Sequence, residues 1–257
     1  ADLIDHVFIY GAAGDVAIAG DWNGDGIDTV GVYRAGVWRL DMDGNGRAGQ
    51  PGDAQGYGDF TGRGGIAVLS RIPIDTAEVL DLSPMLWRDL PGALLPQNAD
   101  GSPFPSATAQ AVQRLSSTAH WVVPLRLPGG ARLDLLTFQA GPPVFDGPED
   151  RNGRRNHDEI RFWQLYLDGT LREPLAGRVV LAGGANIDPQ DGGGRHAALR
   201  TLLQDPRLQD PGPSGPGAAQ APDQGHKGNS ALDTVDWPGV GRLRVDYILP
   251  GAEWTVI

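Results

Sequence analysis

Hydrophobic residues occur in short runs separated by glycine, proline and aspartate, a pattern that predicts short strands joined by turns. Four such runs follow one another near the start of the chain, at residues 7–10, 16–18, 30–33 and 37–40. Longer apolar runs predict further strands, and these lie at residues 66–74, 119–125, 131–138, 179–181 and 243–250.

Helical spacing of apolar residues is limited to two segments. One begins near Asn156 and places Ile160 and Trp163 on a single face, and the other spans residues 195–204. The segment between residues 75 and 106 is rich in proline and leucine, and we expect a long loop there. The high glycine and proline content favours short strands, many turns and long loops over a helix bundle.

Composition narrows the possible partners. The 257 residues carry a net charge of −11, with 38 glycines, 21 prolines and no cysteine. An acidic surface repels phosphate backbones, so binding to nucleic acid without a metal is not expected. No apolar run approaches the ~18 residues of a membrane span, so none is expected. The lack of cysteine excludes disulfides and thiol nucleophiles.

Two loops near the start have the spacing of calcium-binding loops, with oxygen-bearing side chains at positions 1, 3 and 5 and glycine at position 6. The oxygen-bearing residues are Asp21, Asn23 and Asp25 in the first loop and Asp41, Asp43 and Asn45 in the second. Residues 7–50 resemble the FG-GAP-like calcium-binding repeats, and the resemblance implies a β-rich unit stabilised by calcium. The alternative is a pair of hairpin turns that hold no ion.

Residues 179–192, with the sequence VVLAGGANIDPQDG, form the most suggestive stretch of the chain. A buried strand runs into Gly183 and Gly184 and delivers Asn186 at its tip, which is a common way to build an active site. A strand followed by a tight glycine turn explains the same pattern without any function.

Five other polar residues are candidates for a site, and each has a structural alternative. Arg71 either binds phosphate or forms a salt bridge at a sheet edge, and His120 either contacts substrate or is a buried, hydrogen-bonded histidine. Arg154 and Arg155 belong to a polar cluster before the predicted helix, which either binds an anion or forms a solvated cap. Asp246 either faces the site or pairs with a neighbouring arginine.

Several segments together resemble one bacterial branch of the endonuclease/exonuclease/phosphatase superfamily, in the same order along the chain. They include GGIAVLSRIPI, QRLSSTAHW, PPVFDGPEDRNGRRNHDEIRFW, GGANIDPQDG and LRVDYILP. The resemblance implies a deoxyribonuclease-I-like β-sandwich flanked by helices, which hydrolyses phosphoesters with magnesium or manganese. We therefore expect an incomplete sandwich over residues 53–257, preceded by the calcium-loop segment over residues 1–52.

The same resemblance implies catalytic roles for Asn186, His120 and Asp246, but two expected groups are replaced. Gln139 stands where the superfamily has a histidine, and Gly184 where it has an aspartate. The superfamily's opening strands, with their Asn and Glu, and its Ser-Asp-His segment have no counterpart between the first and last residues. The sequence thus predicts weak or absent hydrolysis. The alternative is a calcium-stabilised binding module, and in either case the expected location is extracellular or periplasmic.

Overall fold

In the computed structural model, which describes residues 16–20, 28–34, 37–40, 65–173, 177–219 and 225–257, the N-terminal strands form a three-stranded antiparallel sheet. Its strands are β1 (Val16–Gly20), β2 (Thr29–Arg34) and β3 (Val37–Leu40), in that order. Three of the four predicted strands are therefore confirmed, and the run at residues 7–10 lies outside the described residues.

A five-stranded sheet forms the centre of the fold. Its strands are β4 (Leu80–Asp81), β5 (Ala119–Arg126), β6 (Arg132–Gln139), β7 (Arg178–Gly184) and β10 (Asp246–Pro250). Their order across the sheet is β10-β7-β6-β5-β4. Strands β6 and β7 are parallel and the other pairs are antiparallel. A separate hairpin joins β8 (Val235–Trp237) to β9 (Gly241–Leu243).

Four α-helices are described, and the longest of them covers the central sheet. They are α1 (Ala107–Gln110), α2 (Arg151–Leu167), α3 (Ala197–Leu203) and α4 (Pro216–Ala219). Alternate residues of the strands, among them Leu136, Phe138 and Leu181, are buried in one core with Ile160 and Trp163 of α2. The alternation follows from the two-residue period of a strand, which sends one set of side chains toward the helices.

Polar residues of α2 are buried as deeply as its apolar ones. Asn156, Asp158 and Glu159 are fully buried, and Arg155 is nearly so. Each forms hydrogen bonds with the backbone of a loop: Arg155 donates to the carbonyls of residues 114, 115 and 116, and Asp158 accepts from the N–H of Leu94. Because buried polar groups are costly unless they are paired, these bonds fix where the loops pass.

The predicted strand at residues 66–74 is wrong for most of its length. Only Ile74 pairs with the sheet, through an isolated bridge to Leu125, and the side chain of Leu69 is almost wholly exposed. The hydroxyl of Ser70 accepts a hydrogen bond from the N–H of Ile72, and Pro73 has no N–H to donate. A local side-chain turn followed by proline competes with strand pairing, which explains the difference.

Two other boundaries also differ from the predictions. Helix α2 begins at Arg151, five residues before Asn156, and the apolar run at residues 243–250 is divided between β9 and β10. The predicted helix at residues 195–204 is confirmed as α3. None of the described helices is long and apolar enough to cross a membrane.

The buried arginine of α2 gives a direct test of this organisation. We expect Arg155→Ala to lower the free energy of unfolding by on the order of 3 kcal/mol, because three buried carbonyls lose a charged donor. Urea denaturation measures the change, and Arg88→Ala is the control because Arg88 and its partner Asp89 are both exposed. Equal effects of the two substitutions would show that Arg155 does not anchor the loop.

Candidate functional site

Three positions that the sequence marked as candidate or replaced site residues lie side by side at one end of the central sheet. Gln139, Gly184 and Asp246 occupy neighbouring positions on β6, β7 and β10, and Ala119 of β5 lies beside Gln139. Residues paired directly across strands have their side chains on the same face. We call this end of the sheet, formed by Ala119, Gln139, Gly184 and Asp246, the strand edge.

Gln139 and Gly184 are matched in size at the centre of the strand edge. A Cβ atom added to Gly184 would overlap the carboxamide of Gln139. The side chain of residue 139 therefore occupies the space that a side chain at residue 184 would need. A larger residue at 184 requires the Gln139 carboxamide to move.

Asn186 lies just beyond the strand edge and adopts a left-handed backbone conformation, with φ of 53°. Its side-chain amide donates to the carbonyl of Ala140 at 2.7 Å, which links the loop after β7 to the loop after β6. Asparagine is one of the few residues that tolerate this conformation. The bond fixes the amide with its nitrogen toward Ala140.

Side chains of helix α2 form hydrogen bonds with the backbone of the same two loops, which follow β6 and β7. The amide of Asn156 donates to the carbonyls of Gly141 at 2.8 Å and Ala185 at 2.7 Å. The carboxylate of Glu159 accepts from the N–H of Gly141 at 2.8 Å and from the N–H of Ser117 at 2.5 Å. Burial raises the pKa of Glu159, and the charge of Arg155 and these hydrogen bonds oppose the rise. The positions of the site loops therefore depend on α2.

Asp188 links the loop after β7 to the backbone just before β10. Its carboxylate accepts from the N–H groups of Gln190 and Asp191, and also from the N–H of Arg244 at 3.0 Å, just before β10. Asp246 is exposed, and its backbone N–H donates to the hydroxyl of Thr234.

The sequence suggested that Asp246 pairs with a neighbouring arginine, but the two nearest arginines along the chain pair with other aspartates. Arg244 pairs with Asp210, and Arg242 pairs with Asp236.

The structure places His120 in the core, away from the open face of the strand edge. The ring is fully buried among Phe138, Phe162 and Trp163, and its nitrogens contact the hydroxyl of Ser116 and the carbonyl of Glu159. Burial lowers the pKa of His120 to about 4, so the ring is neutral at pH 7. This placement agrees with the buried, hydrogen-bonded alternative.

Of the three arginines proposed for substrate, Arg71 lies apart from Arg154 and Arg155, which are consecutive residues of α2 with different partners. Arg71 is exposed and lies beyond the opposite end of the sheet, because Ile74 bridges Leu125 near the end of β5. The length of β5 puts Ile74, three residues after Arg71, roughly 20 Å from the strand edge. Arg155 is committed to buried carbonyls, whereas half-buried Arg154 donates from Nε to the carbonyl of Glu149 near the site.

The calcium-loop residues lie outside the described residues. They are Asp21, Asn23, Asp25, Asp41, Asp43 and Asn45. Gly20 pairs with Thr29, so residues 21–28 connect the two strands of a hairpin, and β3 ends at Leu40, directly before the second loop. Calcium binding stays a prediction.

The burial of the polar residues of α2 was not predicted from the sequence. Asn152, Asn156 and Glu159 lie at helical spacing on the stripe that also contains Trp163. Polar residues at core positions of an amphipathic stripe are the signal that could have identified them, because a solvated cap would have placed them on the opposite face.

A catalytic metal does not fit the strand edge that the structure describes. Magnesium and manganese prefer several carboxylate or other oxygen ligands in a fixed geometry. The edge and the loop just beyond it offer one exposed carboxylate, on Asp246, and the carboxamides of Gln139 and Asn186, whereas the carboxylate of Asp188 is buried on backbone N–H groups. Among the described residues, no group of three or more His, Asp or Glu side chains is arranged to hold an ion.

Comparison with known proteins gives a family match over most of the chain. The model described as "Endonuclease/Exonuclease/phosphatase family" matches residues 31–257. This match and the mixed α/β architecture confirm the predicted fold class, without bearing on the calcium-loop segment. No curated protein matches the chain.

Two solved structures show partial likeness. Sphingomyelinase C from Streptomyces griseocarneus is 19% identical, with a TM-score of 0.34 and 52% of this chain and 42% of that chain covered. A beta hairpin deletion mutant of beta toxin from Staphylococcus aureus is 12% identical, with a TM-score of 0.33 and coverages of 53% and 45%. The chain therefore spans less than half the length of either structure.

Burial of His120 predicts a dependence of stability on pH. Its folded pKa of about 4 lies below the ordinary value near 6.5, so its contribution to stability is present above pH 6.5 and is lost as pH falls toward 4. The loss should reach about 3 kcal/mol, and His120→Gln should flatten this part of the curve. Chemical denaturation at a series of pH values measures it, and identical slopes for the two proteins would contradict the assignment.

The two adjacent glycines at the end of β7 should respond differently to substitution. A Cβ at Gly183 overlaps the backbone carbonyl and ring of Phe138, which have little freedom to move, whereas a Cβ at Gly184 meets only the flexible end of Gln139. We expect Gly183→Ala to cost on the order of 3 kcal/mol and Gly184→Ala to cost about 1 kcal/mol.

Gln139→Ala should remove most of the cost at residue 184 and leave that at residue 183 unchanged, which a double-mutant cycle measures. Gly215→Ala is the control, because nothing surrounds its added Cβ. An unchanged cost at residue 184 in the Gln139→Ala background would refute the size matching.

Proposed function

This chain belongs to the endonuclease/exonuclease/phosphatase family, and we propose that it binds phosphoesters at the strand edge but hydrolyses them weakly or not at all. Magnesium and manganese are the metals on which any residual hydrolysis would depend. Hydrogen-bond donors support the recognition of a phosphoester. Its hydrolysis needs a metal and an acid or base as well.

The observation that carries the proposal is the Gln139–Gly184 pair at the centre of the strand edge. A glutamine carboxamide does not ionise near neutral pH, so it does not replace a general acid or base. Gly184 offers no ligand, and the Gln139 carboxamide occupies the space beside it. Asp246 alone gives one carboxylate, and losing several members of a catalytic set removes most of the rate enhancement.

Recognition is supported by polar groups on the loops that leave the strand edge. Asn186 carries a side-chain amide there, and Arg154 and Arg195 bring positive charge on α2 and on the segment before α3. Arg195 forms an ion pair with Asp150, and the contact of Arg154 with Glu149 uses one of its five N–H donors. Guanidinium groups suit the geometry of phosphate oxygens.

Hydrolysis of bis(p-nitrophenyl) phosphate with magnesium or manganese tests the catalytic part. We expect turnover close to the rate of the metal ion alone, and we expect Gly184→Asp by itself to leave that rate unchanged because Gln139 still lacks a titratable group. Asn98→Ala, in an exposed loop, is the matched control for Asn186→Ala. Robust turnover that Asn186→Ala abolishes and Asn98→Ala preserves would overturn the proposal of weak hydrolysis.

A second candidate function is a calcium-stabilised binding module located outside the cell or in the periplasm. It is favoured by the β1–β2 hairpin, since the first calcium-like loop is its connection. We expect chelation to lower the melting temperature and saturating calcium to restore it. Matching melting curves with calcium and with chelator would exclude a stabilising calcium ion.

A further inference from the structure

The aromatic ring of Phe145 is presented to solvent by a strained backbone. Its φ is 70°, and the residue is 88% exposed. A bulky side chain rarely adopts this left-handed conformation, and exposing an aromatic ring forgoes the gain of burying it. Residues in such conformations persist only when the surrounding structure enforces them, and they concentrate at functional sites.

The surrounding structure holds Phe145 from both sides. The side chain of Asn152, itself buried, donates to the carbonyl of Val144 at 2.7 Å, and the backbone N–H of Asn152 donates to the carboxylate of Asp146 at 2.5 Å. One residue at the start of α2 therefore fixes both neighbours of Phe145. The ring is directed outward by the fold and does not depend on a freely moving loop.

Phe145 stands in one of the two loops that leave the strand edge, six residues after Gln139. Val144 and Pro143 pack against Gly193 and Gly194 in the segment that follows Asn186.

The strain is concentrated in these two loops. Three non-glycine residues have positive φ among those that the structure describes, and all three lie there: Phe145, Asp150 and Asn186. Phe145 thus shares with Asn186 the pair of loops that leave the strand edge.

We propose that Phe145 binds the aromatic ring of a small aryl phosphoester whose phosphate group lies at the strand edge. This inference rests on the proposed function and names the class of ligand. An aromatic ring stacks offset or edge-on against another, which suits a ring as exposed as this one. Asp146 and Glu149 lie in the same loop, and the net charge of −11 disfavours polyanions such as nucleic acid, so a small ligand with an uncharged ring fits.

Calorimetric titration of the whole chain with phenyl phosphate and with inorganic phosphate tests the inference. We expect phenyl phosphate to bind more tightly, and Phe145→Gly to weaken its binding by on the order of tenfold while leaving inorganic phosphate unchanged. Phe145→Tyr should retain the preference for the aryl ligand. Leu69→Ala is the matched control, because Leu69 is another exposed hydrophobic residue, at 95%, and lies outside the two loops that leave the strand edge.

Stability gives a separate readout that does not depend on a ligand. Glycine adopts positive φ without strain, so Phe145→Gly should melt at a temperature equal to or above that of the unaltered protein. A weakened affinity in this variant is then not a consequence of unfolding. A lowered melting temperature would contradict the strained conformation on which the inference depends.

The outcomes distinguish failure of the inference from failure of the proposed function. Equal affinity for the two ligands, unchanged in Phe145→Gly, would overturn the role of Phe145 and leave phosphate binding in place. Binding of neither ligand to the unaltered protein would overturn both. Loss of binding to phosphatidylcholine vesicles in Phe145→Gly, with phenyl phosphate unaffected, would identify a lipid surface as the partner and overturn the aryl ligand.

Discussion

The buried polar side chains of α2 are the constraint on which the rest of the described structure depends. Arg155, Asn156, Asp158 and Glu159 lie at core positions, and each holds the backbone of a loop that has no regular structure of its own. A buried charge or amide is costly unless it is hydrogen-bonded, so these bonds favour one path for each loop. The helix converts segments rich in proline and glycine into a fixed frame around one end of the sheet.

The same frame holds the loops at the strand edge. Asn156 ties together the loops after β6 and β7 through hydrogen bonds to the carbonyls of Gly141 and Ala185. The proposed loss of hydrolysis involves Gln139 and Gly184, which take no part in these bonds. The strained conformations of Asn186 and Phe145 persist in the same loops because the backbone around them is held.

Periodicity predicted the elements of this fold better than their arrangement. The alternation along β6 and the helical spacing of Ile160 and Trp163 identified a central strand and α2, because one face of each enters the core. The strand predicted at residues 66–74 failed because a Ser70 turn and Pro73 outweigh apolar composition. The burial of Arg155 was not predicted, since the loop that encloses it is distant in sequence.

The contact between Gln139 and Gly184 was also beyond the sequence alone. The resemblance marked both as replacements, but only the parallel register of β6 and β7 makes them neighbours. Both strands also bury side chains in the core that they share with α2, which involves residues far apart along the chain. Sequence patterns thus located the candidate residues, and tertiary packing decided which of them share a site.

The most direct test of the proposed loss of metal-dependent hydrolysis is a manganese titration followed by residue-specific nuclear magnetic resonance. Bound Mn²⁺ broadens the signals of nearby amides, so it locates an ion by residue even if the calcium-like loops also bind one. We predict that the amides of Gln139, Gly184, Asn186 and Asp246 keep their line widths at manganese concentrations that saturate a catalytic site. Selective broadening of these four amides at low manganese concentration would contradict the absence of a catalytic metal site at the strand edge.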